Sequence, residues 1–249
     1  MAALLMATAT LLLCLWPFIG RSGPGYAPAF ALAAGTVLAV GAVETGARRL
    51  DARGLALLAA IAALDSALRA AFPIGFGGFS PFFLLVLCAG YALGPAFGFM
   101  AGAFAMLASD VALGALGTYL PFQLLAAGWT GAVAGLAGRA LGQRGAAPRL
   151  PGLIALAAVG AVMGYLFGAL TDIQDWTTFY RGAAGFGWVP GLDPLTALRR
   201  FGGFYAATSF VYDSFRAAGN AVLVLAVGAP VIAALGRFGS RLQFEVETP

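Results

Sequence analysis

The chain contains no histidine and no lysine, and only two of its 249 residues are cysteine. Without histidine there is no His-ligated metal, no Ser-His-Asp relay and no imidazole proton shuttle. Without lysine there is no P-loop lysine and no Schiff base. Cys14 and Cys88 lie far apart within apolar runs, so they form no thiolate cluster and say nothing about redox compartment. Charge is scarce as well, at 10% of residues. These absences leave carboxylate chemistry open through Asp65, Asp110 or Asp213, and no cofactor or metal is expected. Any uphill movement driven by ATP needs another subunit to hydrolyse it.

What is present is apolar: 61% hydrophobic residues and a mean hydropathy of +0.91, the signature of a chain whose solvent is mostly lipid. The sequence divides into eight apolar runs: Met1 to Ile19, Tyr26 to Val43, Leu55 to Phe72, Phe79 to Leu93, Pro95 to Leu116, Leu120 to Ala140, Leu150 to Leu170, and Ala217 to Leu235. Most match the roughly 20 residues that a helical span requires. Read as eight crossings, they place three arginine clusters on one side: Arg48, Arg49 and Arg53; Arg139, Arg144 and Arg149; Arg237 and Arg241. The positive-inside bias makes that side cytoplasmic, with both termini there. Arg21 opposes the bias alone. Arg181, Arg199 and Arg200 also oppose it, but in a long outer segment, which reports orientation weakly. The first run resembles a signal-peptide core but lacks a basic start and a suitable cleavage site, so it reads as a retained span. A basic inner rim beside anionic lipid accounts for the net charge of +4, and no nucleic-acid partner is implied.

Ionisable groups inside spans are costly and usually face a bundle interior or a wet cavity. Here their depth is informative. Asp65 and Arg69, Asp110, Gln123, Asp172 and Asp175, and then Asp213, Arg216 and Asn220 all fall toward the outer ends of five runs. Aromatics crowd the adjoining loops, around Gly75-Phe76-Gly77-Gly78 and from Trp176 to Tyr212. An apolar lining with a few orienting polar groups is what a ligand pocket needs, although aromatics at this depth also form interfacial belts. The candidate ligand contacts are Phe76, Phe79, Asp110, Gln123, Trp176, Tyr180, Tyr205, Tyr212, Asp213, Arg216 and Asn220. The outer segment from Thr171 to Phe215 is long and too aromatic for disorder. Its part from Pro194 to Phe215 reads as an amphipathic helix, either a lid or an extension of the final span.

Glycines repeat every fourth residue at Gly90, Gly94, Gly98 and Gly102, and again at Gly160, Gly164 and Gly168. Such spacing lets helix backbones approach closely in lipid, though it arises easily by chance in a glycine-rich chain. The third run carries Ala56, Ala59, Ala60 and Ala63, either an internal packing face or a smooth face for another membrane subunit.

Residues 54 to 243 resemble the substrate-binding S component of an energy-coupling factor (ECF) vitamin transporter. The resemblance is carried by LALLAAIAALDSALRAAFP, FSPFFLLVLCAGYALGPAFGFMAGAFAMLASD, YLPFQLLAAGWTGAVAGLAGRALG and FYAATSFVYDSFRAAGNAVLVLAVGAPVIAALGRF. It implies an all-α integral membrane protein of the cytoplasmic membrane with a six-helix bundle, here preceded by two extra N-terminal helices in residues 1 to 53. It also implies capture of a vitamin from outside, with Pro73 to Ser80 and Thr171 to Phe215 as gates. Docking would pass through Ala56, Ala59, Ala60 and Ala63 onto a transmembrane coupling subunit served by two ATP-binding subunits. Phe204 to Phe238 most resembles S components associated with cobalamin or a related corrinoid, while thiamine and queuosine precursors, riboflavin and biotin stay open. Residues 244 to 249 form a cytoplasmic tail. Two readings compete with this one: a membrane enzyme using isolated aspartates on a lipid or isoprenoid, and an autonomous secondary carrier.

Overall fold

A computed structural model describes residues 1–20, 22–47, 50–72, 76–142 and 148–241, the side chains at 76 and 239–241 excepted. Arg21, Arg48, Arg49, Arg144, the side chain of Arg241, the loop residues Pro73 to Gly75, the ring of Phe76 and the tail 244 to 249 therefore lie outside the described residues. Those described form helices and no strand. The helices are α1 (Ala2–Cys14), α2 (Tyr26–Gly46), α3 (Ala52–Ala71), α4 (Phe82–Leu93), α5 (Pro95–Ala112), α6 (Leu120–Ala140), α7 (Leu150–Thr178), α8 (Pro194–Thr208) and α9 (Phe210–Arg241), with short 3-10 turns at Trp16–Ile19 and Phe76–Gly78. The protein is all-α and carries apolar helices suited to several membrane crossings.

Local chemistry sets the helix starts. The Asp51 carboxylate accepts the Gly54 N–H at 2.8 Å to cap α3, and Asp193 accepts the Thr196 N–H at 3.0 Å to cap α8. Hydrogen bonding from the Thr196 side chain, and then from its backbone N–H, holds the Asp193 carboxyl below its ordinary range. Proline stands in the first turn of α5, α6, α7 and α8, where its missing N–H costs nothing. Between α4 and α5 the chain reverses at Gly94, whose φ of 100° suits glycine and few other residues.

Among the described residues six helices are long and apolar enough to cross a bilayer: α2, α3, α5, α6, α7 and α9. The first and fourth apolar runs, expected as full spans, give shorter helices. In the first, Trp16 and Pro17 divert the chain into a 3-10 turn after 13 α-helical residues. In the fourth, Pro81 delays the helix to Phe82, leaving 12 residues. At 1.5 Å per residue α1 and α4 measure about 20 and 18 Å, against a hydrocarbon core of about 30 Å. The seventh and ninth helices go the other way: α7 continues through Asp172 and Asp175 to Thr178, and α9 begins at Phe210. Acidic residues ended the apolar run but not the helix.

The bundle is organised around α6, against which α2, α4, α5 and α7 all pack. Glycine makes this possible. A Cβ on Gly90 or Gly98 would collide with the backbone of Gly131, one on Gly102 with Ala127, and one on Gly135 with the Gly94–Pro95 turn. The first glycine repeat is thus an internal face. The second lies against α9, where Gly160, Gly164 and Gly168 meet Asn220, Ala217 and Asp213. Helix α3 packs mainly on α5 at the edge of the bundle. Residues of α1 and α2, among them Met6, Leu13, Ala33 and Val37, belong to the same continuous core as α5 and α6. The Trp129 indole N–H of α6 also donates to the Thr10 hydroxyl of α1 at 2.8 Å.

Because the atoms facing Gly131 are backbone and cannot move aside, Gly131→Ala should destabilise the protein by about 1 to 3 kcal/mol, the usual range for overpacking. At Gly35 a Cβ meets nothing within 4 Å, so Gly35→Ala should be neutral or stabilising by up to about 1 kcal/mol through helix propensity. Thermal melts of the two variants in one detergent provide the comparison, and equal melting temperatures would contradict it.

Candidate ligand cavity

The C-terminal ends of α3, α5 and α7 and the N-terminal ends of α4, α6 and α9 share one end of the bundle, where they line a half-open cavity of about 180 Å³. Its polar lining is Arg69 of α3, Gln123 of α6, Arg216 of α9 and Ser80. The apolar lining comes from Phe72, Phe79, Phe82, Phe83, Met106, Phe167 and Tyr212. Gly78 completes the wall. Its φ of 96° turns the chain tightly against Tyr212, and the Phe79 ring lies over Gly219, where any side chain would collide.

Both arginines are held from behind. Arg69 Nη1 donates to Asp110 Oδ1 at 2.5 Å, to Ser109 Oγ at 2.6 Å and to the Met106 sulfur at 3.3 Å. Arg216 Nη1 donates to Asp213 Oδ1, one turn away on α9, and to the Gly164 carbonyl at 3.2 Å. The Arg216 guanidinium also sits 5.2 Å from the ring centres of both Phe167 and Tyr212. Asp110 and Asp213 are fully buried and neutralise these charges without reaching the cavity wall. A buried arginine without such a partner would be prohibitively costly. Tyr205 of α8 adds a further layer, its hydroxyl donating to Asp213 Oδ2 at 2.8 Å. Burial, and then that bond to Asp213, push the Tyr205 phenol above its ordinary range, so it stays a donor. The Gln123 carbonyl oxygen is buried without a hydrogen-bond partner, as are both oxygens of Asp65.

The residues expected to contact ligand divide accordingly. Phe79, Gln123, Tyr212 and Arg216 line the cavity, and Asp110, Asp213 and Tyr205 stand directly behind its arginines. Asn220 is placed elsewhere: its side-chain amide donates to the Gly160 carbonyl at 2.9 Å, so it ties α9 to α7. Trp176 is also displaced from the cavity. It is fully buried, its indole N–H donates to the Phe186 carbonyl at 2.7 Å, and its ring stacks on Phe18. Tyr180 packs on Phe204 in the same cluster. Arg69, Phe167 and Met106 line the cavity without having been expected there. Arg69 had a readable signal, four residues beyond Asp65 near the end of an apolar run. Phe167 and Met106 had none.

The aromatic cluster is a cap built from two distant parts of the chain. Trp176, Trp188, Ala197 and Phe204 form its core, with Trp16 and Phe18 of the N-terminal 3-10 turn packed against them. Trp16 meets Trp188 edge-on at 5.2 Å, and the Trp188 indole N–H donates to the Pro17 carbonyl at 3.2 Å. The long segment between α7 and α9 is thereby braced from the side by the first helical pair.

Comparison with protein-family models, with curated proteins and with solved structures finds no match. The geometry therefore carries the functional reading alone.

Trp188→Ala should remove about 3 to 5 kcal/mol of packing, as large-to-small changes in a core do. Hydrogen–deuterium exchange should then rise at residues 16–19 as well as around residue 188. A rise confined to the α7–α8 connection would mean the brace contributes nothing.

Proposed function

We propose that the protein is a membrane-embedded solute-capture subunit, the S component of an ECF-type importer. The observation that carries the reading is the cavity at one end of the bundle. It joins two arginines, one unpartnered amide oxygen and a largely aromatic wall, drawn from six helices, while the opposite halves of those helices carry few polar side chains. Chains that bind small ligands concentrate a few orienting polar groups in an apolar pocket in this way. The positive-inside bias of the arginine clusters in the sequence supports an outward-facing cavity end, with eight crossings in all if the short α1 and α4 also traverse the bilayer.

The face of α3 supports the second half of the reading. Ala56, Ala59, Ala60 and Ala63 are all exposed, and the helix buries Leu57, Leu58, Ile61 and Asp65 instead. This alanine face is not spent on packing within the bundle and is smooth enough for close contact with a helix of a coupling subunit. Nucleotide hydrolysis then falls to two ATP-binding subunits. The cavity volume favours a small vitamin or precursor over a corrinoid, since pockets for drug-sized ligands measure about 300 to 1,000 Å³. An aspartate enzyme is the weaker reading: Asp110 and Asp213 are each committed to an arginine, and neither lines the cavity.

Native mass spectrometry of gently purified protein should show a retained small solute. Ala59→Trp and Ala63→Trp should abolish uptake in cells while the purified variants keep that solute. Loss of both together would assign the face to folding, and the absence of any retained solute in the wild type would count against capture. Reporter fusions at residues 50 and 145 should read cytoplasmic and one at 185 external, and an external signal at 145 would overturn the orientation.

A further inference from the structure

Two arginines in one small cavity constrain what the cavity accepts. Their hydrogen bonds all run through a single nitrogen, Nη1 in each case, to partners on the protein side. Among the described residues the Nε and Nη2 groups of both make no hydrogen bond to the protein. Among the described residues no carboxylate lines the cavity, because Asp110 and Asp213 stand behind the guanidiniums rather than beside them. A cation entering would meet the guanidinium side of both ion pairs, with the carboxylates that balance them set behind. An anion would complete a row in which carboxylate, guanidinium, ligand, guanidinium and carboxylate alternate in sign, in a site where bidentate guanidinium contacts are strong.

Size and lining set the rest of the ligand. A dry engineered cavity of about 150 Å³ accommodates one benzene ring, and this one, at about 180 Å³, is only slightly larger. Phe79, Phe83, Phe167 and Tyr212 present the faces and edges that an aromatic ring packs against. The Gln123 amide adds a neutral polar group to the lining.

We propose, building on the capture reading, that the cavity is selective for a single-ring organic anion, its carboxylate or phosphate held between Arg69 and Arg216. The same anionic chemistry exists in a lipid headgroup, so the test separates the two sources. Full-length protein in phosphatidylcholine nanodiscs is titrated calorimetrically with benzoate, pyridine-3-carboxylate, phenyl phosphate, benzamide and benzylamine. At least one of the three anions should bind, and the amide and the amine should bind about tenfold more weakly or not at all. Asp213→Asn combined with Arg216→Gln removes both members of the pair, leaving no orphan carboxylate, and should weaken the anion by about tenfold or more. Retained thermal stability of that double variant reports that it is folded. The charge discrimination in the wild type tests the proposal independently if it is not.

Benzamide or benzylamine binding as well as the anions would overturn the proposal and leave solute capture standing. So would a neutral or cationic solute found in the native mass spectrum. Loss of anion binding when phosphatidylglycerol replaces phosphatidylcholine would assign the arginines to a headgroup and also overturn it. A wild-type protein that retains no solute and binds none of the five compounds would remove the capture reading itself.

Discussion

The close approach of α7 and α9 is the constraint on which the functional end of this molecule rests. Gly160, Gly164 and Gly168 strip one face of α7 to bare backbone, and α9 answers with Asn220, Ala217 and Asp213, three and four residues apart on one face. Asn220 and Arg216 donate to the carbonyls of Gly160 and Gly164. A helical carbonyl with its own backbone partner still has a free lone pair, and in lipid no water competes for it. Glycine therefore does two things here: it sets the distance between the axes, and it opens the carbonyls that fix Arg216. A side chain at Gly164 would push against the Ala217 backbone, next to Arg216 in the chain.

The same end shows how a membrane protein keeps charge at depth. Each cavity arginine is balanced by one fully buried aspartate, so the pair is neutral as a unit while its exposed part is positive. Removing one partner of a buried pair typically costs about 3 to 5 kcal/mol, because the orphan charge stays in a poor solvent. Four residues, Arg69, Asp110, Asp213 and Arg216, are thus locked to one another in composition. Asp65, with neither carboxylate oxygen hydrogen-bonded, is the exception among the buried acids of α3 and α5.

Polarity was legible in the sequence, and shape was not. The depth of Arg69, Asp110, Gln123, Asp213 and Arg216 along apolar runs follows from counting residues, and that depth alone points to the end of the bundle that holds the cavity. The helical, amphipathic character of residues 194 to 208 was readable for the same reason. Aromatic residues carry no such register. Trp176 and Phe79 both sit beside glycine-rich or polar loops, yet one fills a cap and the other lines a cavity, because their neighbours come from Phe18 and Gly219, far away in the chain. Asn220 misled for a related reason: an amide four residues from an arginine shares its face, but its N–H is taken by the bare carbonyl of Gly160. Helix ends were the other weak point, since Pro81 and Trp16-Pro17 end helices inside apolar runs while Asp172 and Asp175 end an apolar run inside a helix.

The cap joins Trp16, Pro17 and Phe18 to residues 176 through 204, and its Trp188–Pro17 hydrogen bond spans 171 positions of sequence. A chain made and inserted from its beginning has its first helical pair in the bilayer long before Trp188 exists. Closing so long a loop is entropically the last step, after the shorter-range helix pairs have formed. Residues 16 to 18 therefore gain their aromatic cover only once the segment around Trp188 has been made and folded back over them. Seating of the indole on the Pro17 carbonyl is thus a chemical marker that two segments made far apart in time have met.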